Sequence, residues 1–269
     1  MKRLVLIFML SFGLMAFTQP ENSNRRIFHD EIPINKGEHL EFKLSYGWFT
    51  VGKADLKVSE GFSQVNNKDC YKIEINGRTS GIVGVFSRVR DQWGAYVTRD
   101  ELLPLVAYSD LHEGNYQRKE YIQFDQKEGT ITVDMTKRHK KRPRKVYEVD
   151  GQIHDLLSGY MNLRSVDYTG LQQGDTVEFK AFYDEEFYDF GAIYEGKELI
   201  DTEVGELNAY RLIPLVPSSS IFPKENAITA WISADMNQLP LKVEADMFFG
   251  TAYCELTNYK NIKYGPDFN

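Results

Sequence analysis

The side chains that usually perform chemistry are present in this chain but not grouped for it. The five histidines are His29, His39, His112, His139 and His154, and none is spaced HxxxH or accompanied by a CxxC pair. Zinc sites draw their ligands from such short spacings, so neither a metal site nor a cofactor is expected. His154 and Asp155 are adjacent, but consecutive residues at a helix start point in different directions. Ser158 and Ser218-Ser219-Ser220 lack the GxSxG setting of a nucleophile elbow. The stretch YDEEFYD, Tyr183 to Asp189, holds four carboxylates among aromatics. Glycosidases place two carboxylates around a sugar. Here Asp184-Glu185-Glu186 stands between two apolar runs and reads first as a hairpin turn. Gly81, Gly84 and Gly94 do not have the spacing of a phosphate-binding loop.

Two other groups suit binding better than catalysis. Aromatics are frequent, with 17 Phe, 16 Tyr and 3 Trp. Those near expected strand ends and corners, Tyr46, Trp48, Phe49, Trp93 and Trp231, are the candidate ligand contacts. Ordinary core packing accounts for each taken singly. The run KRHKKRPRK, Lys137 to Lys145, contains seven Lys or Arg. It suits peripheral contact with an anionic membrane, at ~1 kcal/mol per charge near the surface. It equally suits a solvated hairpin tip whose charges discourage edge pairing. The net charge of −7 argues against nucleic acid as a partner.

The elements that must position these residues are mostly strands. Residues 19–36 have no periodicity and read as an extended arm. From there the chain alternates apolar and polar at period two, as in Leu40, Phe42 and Leu44 against Glu41 and Lys43. Similar alternation recurs through Tyr71–Ile75, Val89–Val97, Leu105–Leu111, Tyr116–Phe124 and Ile131–Met135. It resumes from Thr176 and continues to Lys260. Short strands with Gly, Asn and Asp breaks point to a mainly β fold, a large antiparallel meander or partly open barrel.

One segment departs from this. Leu156, Leu157, Tyr160, Met161 and Leu163 recur at three and four residues, so a single short helix is expected over 155–166, packed on the sheet with this stripe buried. Asp155 suits its N-cap. Gly159 weakens it by ~1 kcal/mol relative to Ala, so packing must hold it. The expected organisation is one barrel-like domain over 37–269, with two β subdomains joined by the helix as the alternative.

Lys2 and Arg3 precede an apolar run, Leu4 to Phe17, that is too short to span a bilayer. Ala16 and Thr18 supply small residues before a cleavage point, so residues 1–18 read as a signal peptide cut near Thr18. The protein is then exported, to a bacterial periplasm or outer envelope. Cys70 and Cys254 could pair there. Cys254 shares a phase with apolar Ala252 and Leu256, whereas Cys70 alternates with Lys72 and Glu74. Spacing alone leaves a disulfide open.

Several segments together resemble a known family. They are GEHLEFKLSYGWFTVGKADLKV (Gly37 to Val58), DQWGAYVTRDELLPLVA (Asp91 to Ala107), HDLLSGYMNLR (His154 to Arg164), the run from Gly174 to Pro214, and AWISADMNQLPLKVEADMFFGTAYCELTNY (Ala230 to Tyr259). Their order resembles DUF3108, exported bacterial proteins of unknown function. The resemblance implies a partly open antiparallel barrel comparable with periplasmic lipoprotein carriers, and it assigns no catalytic residue. Asp155, Ser158, Arg164, Trp231, Ser233, Asp235 and Pro240 fall on its pattern, with structural roles. Arg164 would pair with a carboxylate beneath the sheet, and Asp235 to Pro240 would form a turn.

Three functions follow. A wide aromatic-lined half-barrel can hold a lipid or glycan. The basic tip and sheet edges can contact an envelope-protein partner in assembly. A carboxylate enzyme could act on envelope glycan. The absence of a catalytic constellation favours binding.

Overall fold

The computed structural model describes residues 28–29, 31–81, 88–215, 227–247 and 250–265. The expected signal peptide, Ser218–Ser220 and Gly84 lie outside them. Strands β1 (His39–Tyr46), β2 (Phe49–Val58), β3 (Ser63–Val65), β4 (Lys68–Thr79) and β5 (Val89–Thr98) come first. They are followed by β6 (Pro104–Glu113), β7 (Tyr116–Asp125), β8 (Thr130–Lys137), β9 (Lys140–Lys141) and β10 (Lys145–Glu148). Helix α1 (Leu156–Leu163) intervenes before β11 (Thr176–Tyr183), β12 (Glu186–Thr202) and β13 (Gly205–Pro214). The series ends with β14 (Ile228–Ser233), β15 (Pro240–Asp246) and β16 (Thr251–Lys260).

All of these strands belong to one antiparallel sheet, in the order β10-β8-β7-β6-β5-β4-β2-β1-β16-β15-β14-β13-β12-β11. β3 and β9 lie off this path, beside β4 and β8. β1 stands in the middle, paired with β2 on one side and β16 on the other. The two halves of the chain are therefore continuous through it. The pattern behind this is visible in β7, where Arg118, Glu120, Ile122 and Phe124 are buried and the residues between them exposed. Period-two alternation gives each strand an inward and an outward face.

The sheet is not closed by a hydrogen-bond ladder. Its two edges, β10 and β11, are consecutive in sequence, and the chain between them carries α1 through the interior. The β11–β12 edge rolls in against the inner face of β6–β8, where Phe182 packs with Ile122, Ile131, Val133 and Ile153. The Tyr147 ring of β10 lies 5.0 Å from that of Phe182. Lys145 bonds Glu185 at 2.9 Å, and Arg118 bonds Asp184 at 2.5 Å. Residues just before α1 add a short parallel bridge, His154 to Ala181.

Helix α1 begins in a capping box. The Asp155 carboxylate accepts from the Ser158 and Leu157 amides at 3.0 and 3.2 Å, while Ser158 Oγ accepts from the Asp155 amide. Such caps hold ~1 kcal/mol each. A Cβ at Gly159 would stand 3.0 Å from the Phe190 ring, which would have to give way by a few tenths of an ångström. The helix ends at Leu163, earlier than the expected Val166. Beyond Arg164 the backbone turns extended, and the Ser165 carbonyl and Val166 bond the N-terminal arm at His29 and Phe28. Only part of the apolar stripe is deeply buried. Leu157 and Met161 enter the main core with Leu40, Leu56, Ile73, Val97, Leu241 and Leu256. Leu156, Tyr160 and Leu163 are half-buried on the helix's other side.

Candidate functional site

Successive strands on the path are antiparallel, so their ends sort into two sets. One end of the barrel is plugged. There the Arg164 guanidinium, fully buried, donates to Glu38 at 2.6 and 3.1 Å and to the carbonyls of Pro33 and Asn237, both at 3.1 Å. It thereby ties the helix end to the arm before β1 and to the β14–β15 turn. Asn162 donates to the Leu102 carbonyl in the β5–β6 turn at 3.3 Å. The Asp235 carboxylate holds the β14–β15 turn itself, accepting from Ser233 Oγ and the Asn237 amide. Pro240 opens β15 directly after it.

Above α1 the interior is not filled. A cavity of about 290 Å³ lies between the helix and the sheet. Leu156, Tyr160 and Leu163 floor it, and Phe42, Ile75, Trp93, Ile122, Phe190 and Leu212 are among its walls. It reaches the other end of the barrel at Tyr183, Pro214 and Ile228, the terminal residues of β11, β13 and β14.

The charged groups Glu120 and Asp155 bordering this space are engaged, whereas the buried Tyr160 hydroxyl in its floor has no hydrogen-bond partner among the described residues. Glu120 faces inward and takes Arg118 at 2.8 Å; burial raises its pKa despite that partner. Asp155 is consumed by the helix cap, with its pKa also raised by burial. The Cys254 thiol is pushed up to about 12 by burial. Such a thiol is protonated at neutral pH and is a poor nucleophile. It is not in a disulfide, and neither is Cys70, which is fully buried although Lys72 and Glu74 share its phase.

His154, Asp155 and Ser158 resemble a catalytic trio by identity alone. His154 Nδ1 lies 3.2 Å from Ser158 Oγ, but the Asp155 carboxylate faces backbone amides and not the imidazole. Ser158 is wholly buried, and burial lowers the His154 pKa to about 4. In a working triad the carboxylate orients the base and the serine meets substrate. This arrangement does neither and is a helix start. Two carboxylates of YDEEFYD, Asp184 and Glu185, fall at a turn with left-handed φ angles of 48° and 65°, while Glu186 and Asp189 lie in β12. The ion pairs of Asp184 and Glu185 to Arg118 and Lys145 hold the rolled edge. Among the described residues no cluster of His, Cys, Asp and Glu is placed to hold a metal.

Of the five candidate aromatics, Trp93 and Trp231 border the cavity, and Tyr46, Trp48 and Phe49 do not. Trp93 lies inside, in the cavity wall. Trp231 borders the cavity, but its register places it with Arg211 and Lys242. Its indole N–H donates to Glu198 at 2.5 Å, and the Lys242 ammonium stands 5.5 Å above its ring. Tyr46 is half-buried near Gly250. Trp48 and Phe49 are at the β1–β2 hairpin tip, 89% and 66% exposed, because no strand pairs beyond Tyr46↔Phe49. The basic run is a second hairpin tip. Lys137 pairs with Lys140 around Arg138 and His139, whose φ angles are 50° and 61°. Arg144 is held by Asp134 at 3.0 and 2.7 Å.

Sequence reasoning missed the inward Arg118–Glu120–Asp184 group and the cavity aromatics Phe182 and Phe190. A signal for the first existed, since Arg118 and Glu120 occupy the same phase as Ile122 and Phe124.

No curated protein matches this chain. Among solved structures, a β-barrel-like protein of domain of unknown function DUF1849 from Brucella abortus is similar with a TM-score of 0.53 and 8% identity. That likeness covers 85% of this chain and 99% of the other, and it shows a shared fold. A protein from Parabacteroides distasonis described as a lipoprotein matches with a TM-score of 0.34 and 11% identity, over 88% of this chain and 100% of its own, too low to carry an argument. The family model "Protein of unknown function (DUF3108)" matches residues 41–257, nearly the whole described sheet, and the chain belongs to that family.

Proposed function

We propose that this chain is an exported binding protein that holds the apolar part of an amphiphile in the cavity above α1, without altering it. The observation that carries this reading is an apolar interior of about 290 Å³ left open above a helix that presents Leu156, Tyr160 and Leu163 to it. Small-molecule sites are concave, mostly apolar and of ~300 Å³ upward. An acyl chain entering there gains ~0.8 kcal/mol per methylene removed from water. A glycan would bury many hydroxyls against mostly apolar walls that offer few free partners, the Tyr160 hydroxyl among them, which costs free energy for each one left unbonded. The amphiphile is therefore favoured over the sugar. Among the described residues, no unengaged carboxylate pair and no activated nucleophile borders the cavity, which supports binding over turnover. Export rests on Lys2, Arg3 and the apolar run that follows.

Native mass spectrometry of protein taken from its own host should show a co-purified lipid. In vitro, an anilinonaphthalene sulfonate probe should brighten on binding and be displaced by long-chain fatty acids. Ala230→Phe, which projects a ring into the cavity, should abolish this while the protein stays folded. An unchanged probe response in that variant would remove the cavity as the site.

A further inference from the structure

We propose that the open end of the barrel docks on an anionic lipid bilayer, with Trp48 and Phe49 entering the interface and the Arg138–Arg142 tip holding the headgroups. The antiparallel order places the C-terminal ends of β1, β8, β11 and β13 at one end of the molecule. The Trp48–Phe49 tip follows β1, the basic tip follows β8, and the cavity reaches the same end at Tyr183 and Pro214. Trp48 and Phe49 are two of the most exposed apolar side chains among the described residues, with ring centroids 6.0 Å apart. Apart from each other, these two rings at the hairpin tip stand largely in water. Trp is enriched at membrane–water interfaces, where one side of the ring meets headgroups and the other acyl chains.

The charge arrangement selects the partner. Arg138, Lys140, Lys141 and Arg142 are exposed and form no ion pair among the described residues, unlike the neighbouring Arg144 and Lys145. They stand on a chain whose net charge is −7. An anionic surface therefore attracts this end and repels the body, which orients the molecule with its mouth toward the lipid. This surface does not depend on what the cavity holds. The Ala230→Phe variant should bind vesicles like the parent, so failure of docking and failure of the cavity reading are separable.

The test is co-sedimentation of the mature chain with vesicles of phosphatidylglycerol and phosphatidylcholine, against phosphatidylcholine alone. Binding should occur to the anionic vesicles and weaken with salt. Lys140→Glu/Lys141→Glu/Arg142→Glu should lower affinity at least ~100-fold. Trp48→Ser/Phe49→Ser should lower it at least ~10-fold. In a Trp93→Phe/Trp231→Phe background, Trp48 is the sole reporter, and brominated lipid should quench it. No binding to anionic vesicles, or equal binding by both sets of variants and the parent, overturns the proposal. Binding to soluble dextran sulfate without vesicle binding overturns it in favour of an acidic polymer.

Discussion

Glu38→Gln tests how the plugged end of the barrel is held. In the native chain Arg164 makes two charge-assisted bonds to Glu38 and two more to the carbonyls of Pro33 and Asn237, with both charged side chains inaccessible to water. The glutamine keeps the volume, removes the counter-charge and turns an amide N–H₂ toward a guanidinium N–H. Charge-assisted bonds contribute roughly 1.5–3 kcal/mol each, and removing one partner of a buried pair costs about 3–5 kcal/mol. The loss should therefore be about 3–5 kcal/mol by urea unfolding, which at ~2–3 kcal/mol/M moves the midpoint down by ~1–2.5 M. Glu38→Leu/Arg164→Met removes both charges and should recover most of that loss. A single-variant loss below ~1 kcal/mol, or a double variant no better than the single, would refute the reasoning that an uncompensated buried charge is the cause.

Gly159→Ala should destabilise by ~1–3 kcal/mol in thermal melts, since contact with Phe190 at 3.0 Å outweighs the ~1 kcal/mol gain in helix propensity. Leu157→Ala should cost ~2–5 kcal/mol in denaturant unfolding, because Leu157 sits in the main core beside Met161. Asp91 is buried at the inner wall, and burial lifts its pKa to about 7. A carboxyl held protonated when folded but ionised when unfolded loses stability as pH rises from ~4 to ~7, at about 1.4 kcal/mol per unit. Asp91→Asn keeps an acceptor for the His112 amide, 2.8 Å from Asp91 Oδ1. It should stabilise the protein at pH 7.5 relative to the parent and do so less at pH 5, when unfolding is followed at both.

The strands and the helix were legible because their signals are local. Alternation through Leu40, Phe42 and Leu44, or Glu120, Ile122 and Phe124, states a face without reference to the rest of the chain. Asp155 with Ser158 likewise forms its cap within four residues. Arg164 could be assigned a buried carboxylate, but Glu38 as the one could not be named, since they meet across 126 residues. The same reason hides the cavity. Its walls come from strands in both halves of the chain, from β1 to β7 and from β11 to β16, and whether Phe42, Trp93 and Phe190 touch or leave a gap depends on the curl of the whole sheet. Trp48 and Trp93 are alike in sequence and opposite in setting. One lies past the last paired residue of a hairpin and the other in mid-strand on the inward phase, so aromatic identity could not sort them.

The central place of β1 also bears on how the molecule is made. β1 emerges early in synthesis, yet one of its two neighbours is β16, with His39 opposite Lys260 and Leu44 opposite Cys254. Until the last strand arrives, β1 presents an unpaired edge lined by Leu40, Phe42 and Leu44, a template for pairing with another chain. Of the described strand pairings, the one that joins the two halves is the most distant in sequence, so it is slow to form. Loss of β16 would do more than trim a terminus. It would split the sheet at its middle and leave β1 and β15 as two fresh edges, so shortened chains should aggregate and not persist as smaller barrels.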